Sequence, residues 1–377
     1  MRQEIIVSTA VGEQLSRIFA QHGVRKPLLV LDAAFPFLAT KEEYLSLPLP
    51  YVIFDTFTPN PLYEEVAAGV AVFRKHHCDA ILAIGGGSAI DVAKCIKLYS
   101  GLDETRLYLE QEYRANDVLL LAIPTTAGTG SESTRYAVIY YQGEKQSVTH
   151  ESIVPRYALL DWRNLVTLPL YQKKCTMLDA FCQSIESCWS VHRTAESQTH
   201  ARAALDLILD NMDAYLDNRD DANRNVLIAA NLAGRAINLA QTTAAHAMSY
   251  RITSLYAVPH GRAAFICLPF VWEYMWQVVD HEAGAGGEAG GGAGTGQLRA
   301  LFSDLARHLR SSDVPQAIRF IHELDERLFA TDRLRFDRND IPQLVASVNP
   351  TRLRNNPIPL SEDVLTELYR AIVQKYS

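Results

Sequence analysis

The chain has 377 residues, 48% of them hydrophobic and 21% charged, and a formal net charge of -7. That size and composition suit a soluble protein of two ordinary domains. The acidic balance argues against broad nucleic-acid binding, which needs a basic face, and leaves room for a small basic pocket. The six cysteines (78, 95, 175, 182, 188 and 267) form no CxxC pair, so they read as reduced thiols of a cytoplasmic protein. The early charge in Met1-Arg2-Gln3-Glu4-Ile5-Ile6-Val7 predicts no signal peptide. No apolar run reaches the length of a membrane span.

Short apolar runs alternate with helical patterns in the first part. Strands are expected at 28–32, 51–54, 80–84 and 118–123, with helices at about 10–22, 63–77 and 89–99. Continuous apolar strands between helices predict a parallel sheet covered on both faces. Asp32 closes the first of these strands. It reads either as an acceptor for the ribose hydroxyls of NAD or as a cap or turn residue. Pro59 and Pro61 break the path between the second strand and its helix.

Ile84-Gly85-Gly86-Gly87-Ser88 follows a strand and opens a helix. Glycines let backbone approach a pyrophosphate, and the free N–H groups and dipole of the helix favour the anion. Ser88 reads as the N-cap. By itself a triple glycine fits a structural tight turn equally; the strand-before, helix-after context points to the phosphate. A second polar turn, Pro124-Thr125-Thr126-Ala127-Gly128-Thr129, follows the 118–123 strand at the same edge.

After Pro169 the patterns become amphipathic helices, at about 171–191, 195–217, 222–239, 242–255, 297–310, 313–325 and 361–375. The division expected is a dinucleotide-binding domain over 1–165 and an all-helical metal- and substrate-binding domain over 166–377. The tract 283–296 holds 8 of the 20 glycines and reads as a flexible surface insertion.

Asp179 and Gln183 share a helical face, with Glu186 on the same stripe. His246 and Tyr250 repeat the spacing on a second helix, and His260 follows in Val258-Pro259-His260-Gly261. Two imidazoles and a carboxylate can hold a divalent metal and leave a position open. Spacing alone leaves the ordinary alternative, satisfied histidines, equally open.

These motifs, taken in order, resemble the iron-containing (group III) alcohol dehydrogenases almost end to end. The matching stretches are Pro59-Asn60-Pro61, Gly85 to Lys94, Pro124 to Thr129, Asp179 to Glu186 and His246 to Gly261. Ser347-Val348-Asn349-Pro350 and Asn355-Asn356-Pro357 complete them. The resemblance implies an N-terminal Rossmann-like α/β parallel-sheet domain followed by an all-α C-terminal domain, the dehydroquinate synthase-like architecture, with the site in the cleft between them. It implies NAD(H), with NADP(H) as the alternative, and a divalent metal, Fe2+ or Zn2+. Asp179, His246 and His260 fall on metal ligands. Asn60, Gly86, Gly87, Ser88, Thr125, Thr126, Thr129 and Lys145 fall on cofactor-contacting positions, and Asp32 on the acid associated with NAD. The family pattern has a histidine at Gln183, which could coordinate through its amide oxygen or leave three ligands. Another histidine is replaced by Tyr250, a candidate proton donor or a packed aromatic.

The stretches 167–174, 187–191 and 241–250 are similar to a phosphonoacetaldehyde reductase subgroup, which makes 2-hydroxyethylphosphonate. A phosphonate dianion calls for arginine, and Arg135 and Arg251 are the candidates; Lys173 and Lys174 read as a solvated pair. The function expected is metal-dependent reduction of an aldehyde to a primary alcohol by a homo-oligomer. The alternatives are a general short-chain alcohol or diol dehydrogenase and an inactive nucleotide-binding paralogue.

Overall fold

In the computed structural model, which describes residues 3–284 and 293–376, the first part of the chain builds one parallel sheet. Its elements are β1 (Glu4–Val7), α1 (Val11–His22), β2 (Pro27–Leu31), α2 (Lys41–Leu45), β3 (Val52–Phe54), α3 (Tyr63–Lys75), β4 (Ala80–Gly85), α4 (Gly87–Tyr99) and β5 (Leu119–Pro124). A hairpin of β6 (Tyr136–Tyr141) and β7 (Glu144–Thr149) precedes β8 (Tyr157–Leu160). The six-stranded sheet has the order β1-β8-β5-β4-β2-β3, with every pair parallel. The four expected strands are present within a residue or so at their ends. β1, β8 and the hairpin add to them; β1 and β8 are four-residue strands, too short for a pattern.

Each sheet face is buried, as the unbroken apolar strands require. Alternate residues feed two cores. Leu28, Val30, Ile81, Ala83, Leu120 and Ala122 meet Val66, Val70 and Ile90 of α3 and α4 on one face. Leu29, Leu31, Leu82, Ile84, Leu121 and Ile123 meet Val11, Leu15, Ile18 and Phe19 of α1 on the other.

Helices follow: α5 (Leu170–Trp189), α6 (Ala195–Leu216), α7 (Asp220–Ala240), α8 (Ala244–Tyr256), α9 (His260–Gly284), α10 (Ala293–His308), α11 (Val314–Leu328), α12 (Ile341–Ala346), α13 (Pro350–Leu353) and α14 (Glu362–Lys375). Caps account for several starts: Asp313 accepts the Gln316 amide at α11, where Pro315 fills the first turn, and Ser361 accepts the Val364 amide at α14. The long α9 has no counterpart in the helical periods of the sequence. It is buried nearly all round, from Ala263 to Trp272, so it carries no amphipathic stripe. Trp189, Trp272 and Phe302 pack together at its side, with Trp189 and Trp272 centroids 5.6 Å apart. Among the described residues no helix is long and apolar enough to cross a membrane. Most of the glycine-rich tract 283–296 lies outside the described residues.

The chain forms two compact units, Met1–Lys173 with Met212–Asn238, and Lys174–Asn211 with Leu239–Ser377. The stretch 212–238 joins the first unit for reasons no local pattern announces. Gly234 and Gly130 meet backbone to backbone: a Cβ on Gly130 would lie 2.4 Å from Gly234 Cα. Asn231 donates to Glu132 Oε1 (2.9 Å) and Ser133 Oγ (2.7 Å), and Asn238 Oδ1 accepts the Arg135 amide (2.9 Å). Lys173 departs from the expected solvated pair. It is buried, not solvated, and its Nζ donates to Asn218 Oδ1 (2.6 Å) and Asn223 Oδ1 (2.8 Å).

Candidate functional site

In the first unit the glycine turn sits where the strand order reverses. The chain leaves β2 toward β3 on one side and β4 toward β5 on the other, so the ends of β2 and β4 flank a crevice. Gly85 can only be glycine there, because a Cβ would stand 2.4 Å from Asp32 Oδ2 and 2.6 Å from Ala89 Cβ. Asp32 reaches across from β2 and accepts the Gly86 amide at 2.7 Å, while its other oxygen accepts the Ala34 amide at 3.0 Å. Burial pushes its carboxyl up, against hydrogen bonds from Gly86, Ala34 and Phe35. Asp32 is thus a clamp on the glycine turn, the structural role the sequence left open beside ribose binding.

Helix α4 begins at Gly87 with Gly86 as its cap residue, so Ser88 lies inside the first turn and is not the N-cap. The loop after β5 interleaves with this turn. Thr125 donates its amide to Gly85 O (3.0 Å), and a Cβ on Gly87 would touch Thr129 Cγ2 at 3.0 Å. Gly86, Gly87, Ser88, Thr126 and Thr129 are all half-buried and Thr125 is buried. A turn with no room for a side chain at Gly85 and little at Gly87, at a helix N-terminus, fits a dinucleotide's diphosphate.

Behind this turn lies a buried polar network. Asp91 accepts from Ser131 Oγ (2.6 Å) and the Val138 amide (2.9 Å). Lys94 donates to Ser131 Oγ (2.9 Å), Thr134 Oγ1 (3.0 Å) and Tyr136 O (2.6 Å). Burial lowers the Lys94 ammonium to about 8, although Asp91 and Glu132 oppose the shift. Lys145, opposite Tyr140 on β7, is close enough for its charge to act on Asp91. Asn60 is exposed in the left-handed region (φ 58°), on a turn whose Pro61 carbonyl accepts the Tyr140 amide at 2.8 Å. Arg135 is committed elsewhere: its guanidinium pairs with Glu151 at 2.8 Å and covers the Tyr136 ring.

In the second unit Asp179, His246 and His260 converge, each with a ligand-type atom within 4.8 Å of the others. Asp179 comes from α5, His246 from the first turn of α8 and His260 from the first residue of α9. Gly261 makes this approach possible, since a Cβ there would lie 2.1 Å from Cys175 O and 2.7 Å from Asp179 Cβ. His246 Nε2 stands 3.2 Å from Asp179 Oδ1, and His260 Nε2 4.0 Å from the same oxygen. Asp179 and His246 are each 3% exposed, whereas the His260 side chain is 38% exposed, so the cluster opens on the His260 side. Burial would raise the Asp179 carboxyl, but the His246 hydrogen bond, the charges of both histidines and a hydrogen bond with Gln183 hold it low. Burial would likewise lower His246, yet the Glu186 and Asp179 carboxylates outweigh it and push the imidazole up to about 10. A centre that stabilises positive charge where two imidazoles and a carboxylate meet fits a divalent cation.

Gln183, expected either to coordinate or to stand aside, hydrogen-bonds the Asp179 carboxylate. Tyr250 stacks on the His260 ring, centroids 5.5 Å apart and 11° from parallel, and Ser249 Oγ lies 3.3 Å from His260 Nδ1. Arg251 is not brought to this cluster. One residue past Tyr250 it points about 100° round the helix, and it donates to Gln343 Oε1 at 3.1 Å. Glu186 lies on the stripe of Asp179 and Gln183, and its role is not visible in its spacing. It is fully buried, and its carboxylate takes the amides at the start of α8 and faces His246 Nδ1.

The model of the iron-containing alcohol dehydrogenase family matches residues 3–162, and that of the family's C-terminal part matches 174–373. A phosphonoacetaldehyde reductase of Streptomyces viridochromogenes is 30% identical over 321 residues, 81% of this chain and 79% of that protein. A 1,3-propanediol dehydrogenase of Klebsiella pneumoniae is 31% identical over 293 residues, 71% of each chain. The crystal structure of sulfoacetaldehyde reductase from Bifidobacterium kashiwanohense in complex with NAD+ superposes with a TM-score of 0.83 at 24% identity, over 99% of both chains. At that identity it shows the shared fold.

Proposed function

We infer the function from this premise: the chain belongs to the iron-containing alcohol dehydrogenase family. It is an oxidoreductase acting on an alcohol or aldehyde, and we assign it metal-dependent, NAD(H)-linked reduction of an aldehyde to a primary alcohol. The observation that carries this is the convergence of Asp179, His246 and His260 within 4.8 Å. Those three side chains would hold the metal, with Gln183 bonded to Asp179 as an outer partner or a weak fourth ligand. Asp32, Asn60, Gly86, Gly87, Ser88, Thr125, Thr126, Thr129 and Lys145 would hold the dinucleotide. When bound, the metal supplies a Lewis acid for the carbonyl oxygen and the nicotinamide supplies the hydride.

The chain's own residues do the positioning. The amides of the Gly86–Ser88 turn bind diphosphate, and Asp32 keeps that turn in shape. Its carboxylate would repel a 2′-phosphate, which favours NAD over NADP. Tyr250, flat against His260, holds that ring in place, and its phenol would be the proton donor for the reduced carbonyl oxygen.

For the substrate, the phosphonoacetaldehyde reductase relative supports reduction of phosphonoacetaldehyde to 2-hydroxyethylphosphonate, with Arg135 or Arg251 binding the anion. A second reading, a short-chain alcohol or diol dehydrogenase, is favoured by a specific observation. Both arginines already have partners, Glu151 and Gln343, and the propanediol dehydrogenase is equally similar. The test is NADH oxidation by chelator-stripped and metal-reloaded protein, with phosphonoacetaldehyde beside a neutral aldehyde of similar size. Chelator-sensitive turnover supports the metal-dependent reading, and the preferred aldehyde decides between the two substrates. Turnover indifferent to chelation, or absent in reloaded protein, refutes the assignment, as does full activity in His260→Ala.

A further inference from the structure

We propose that Glu186 is a positioning residue of the metal centre: it fixes which nitrogen of His246 is left to coordinate, and it does so from the N-terminus of α8. This rests on the metal reading above and adds a residue that never touches the metal. Glu186 sits on α5, seven residues beyond Asp179, so the same helix that supplies a ligand supplies this carboxylate.

The two oxygens have separate tasks. Oε1 accepts four donors: the Thr243 amide (3.0 Å), the Thr243 hydroxyl (2.7 Å), the Ala245 amide (3.0 Å) and the His246 amide (3.3 Å). These include first-turn amides of α8 that no helical carbonyl can satisfy. Thr243 is held in turn by Trp189, whose indole N–H donates to the threonine oxygen at 2.8 Å. With Oε1 pinned, Oε2 can point in only one direction, and it faces His246 Nδ1.

An ionised carboxylate is an acceptor only, so Nδ1 must be the nitrogen that carries a proton. Nε2, on the Asp179 side, is then the one whose lone pair can meet a cation. A ring flip would bring a carbon edge to Glu186 and leave a fully buried carboxylate oxygen short of its donor, which is costly. The arrangement is the carboxylate–histidine pairing by which outer groups orient metal ligands. Here it is fused to a helix cap, so the position of the helix and the proton placement on its ligand are set by one side chain.

Glu186→Gln separates the two tasks. The glutamine oxygen can still accept the α8 amides. Its NH2, in place of Oε2, offers donors to Nδ1, which must then accept, and the proton moves to Nε2, where the metal would bind. Full-length protein, stripped with chelator, is titrated with Co2+ and its uptake followed by visible absorption; circular dichroism checks the fold. The expected result is about 10- to 100-fold weaker Co2+ binding by a variant that still melts cooperatively. Equal affinity would reduce Glu186 to a helix cap and overturn the proposal. Should the variant not fold, nitrogen NMR of the zinc-loaded wild type decides. A protonated Nδ1 and metal-bound Nε2 on His246 support the proposal; metal on Nδ1 overturns it. A wild-type protein that takes up neither Co2+ nor Zn2+ removes the proposal together with the metal reading, whereas metal uptake with an indifferent Glu186→Gln removes the proposal alone.

Discussion

Gly261→Ala tests whether helix-to-helix contact sets the metal geometry. The added methyl would stand 2.1 Å from Cys175 O, 2.7 Å from Asp179 Cβ and 2.9 Å from Asp179 N. Cβ contacts under 3.0 Å essentially do not occur, so the start of α9 must retreat from α5 by about 1 Å. Two of the three obstructing atoms are backbone, so no side chain can turn aside. Overpacking of this kind costs about 1–3 kcal/mol, or on the order of 5 °C in Tm. The same retreat carries His260 away from Asp179. A metal–nitrogen bond is only about 2.0–2.1 Å long, so a displacement near 1 Å cannot be absorbed by the bond. Metal affinity should fall by at least about tenfold. Calorimetry of the metal-free protein reads the packing cost, and Co2+ titration of the same sample reads the ligand displacement. Wild-type Tm with wild-type affinity would refute the reasoning. A lower Tm with unchanged affinity would show that ligand geometry is independent of the α5–α9 contact.

Asp32→Ser should raise the KM for NADH with a smaller effect on kcat, because it loosens the Gly86 amide, and should narrow the NADH-to-NADPH preference in kcat/KM by about tenfold or more. An unchanged preference would confine Asp32 to shaping the turn. Gln183→Leu should keep one metal per chain and weaken its binding modestly, since the amide serves Asp179; metal loss matching that of His246→Ala would make the amide oxygen a ligand. The Lys94 ammonium has its folded value near 8, below its ordinary 10.5. Its contribution to stability is therefore full above the ordinary value and lost as pH falls through about 8. Urea midpoints at pH 7.5 and 9.5 should show the wild type gaining on Lys94→Met at the higher pH; a pH-independent difference would mean that burial does not depress this lysine.

Much of the molecule could be read from its residues alone. Short unbroken apolar runs alternating with helical patterns marked strands covered on both faces, and the cores on each side of the sheet are their alternate residues. The glycine turn was legible because glycine is the one residue whose absence of a side chain is itself a signal, and the structure explains it by Asp32 and Ala89 standing where a Cβ would be. The types of Asp179, His246 and His260 pointed to a metal, their spacing left satisfied histidines equally open, and only the packing of α5, α8 and α9 brings the three within 4.8 Å. What the sequence could not give were facts that depend on residues distant along the chain. Helix α9 is buried on every side from Ala263 to Trp272, so that half lacks the period that marks a helix. The meeting of Gly130 with Gly234 is a contact, and contacts have no local signature. Arg135 and Arg251 looked available for an anion until Glu151 and Gln343 took up their guanidinium groups. Glu186 was on the expected face but acquired its role only when α8 brought its first-turn amides and His246 Nδ1 to the carboxylate. Periodicity and residue chemistry are local and survive in the one-dimensional string. Which donor meets which acceptor is decided by how the elements pack, and the tertiary structure alone supplied that.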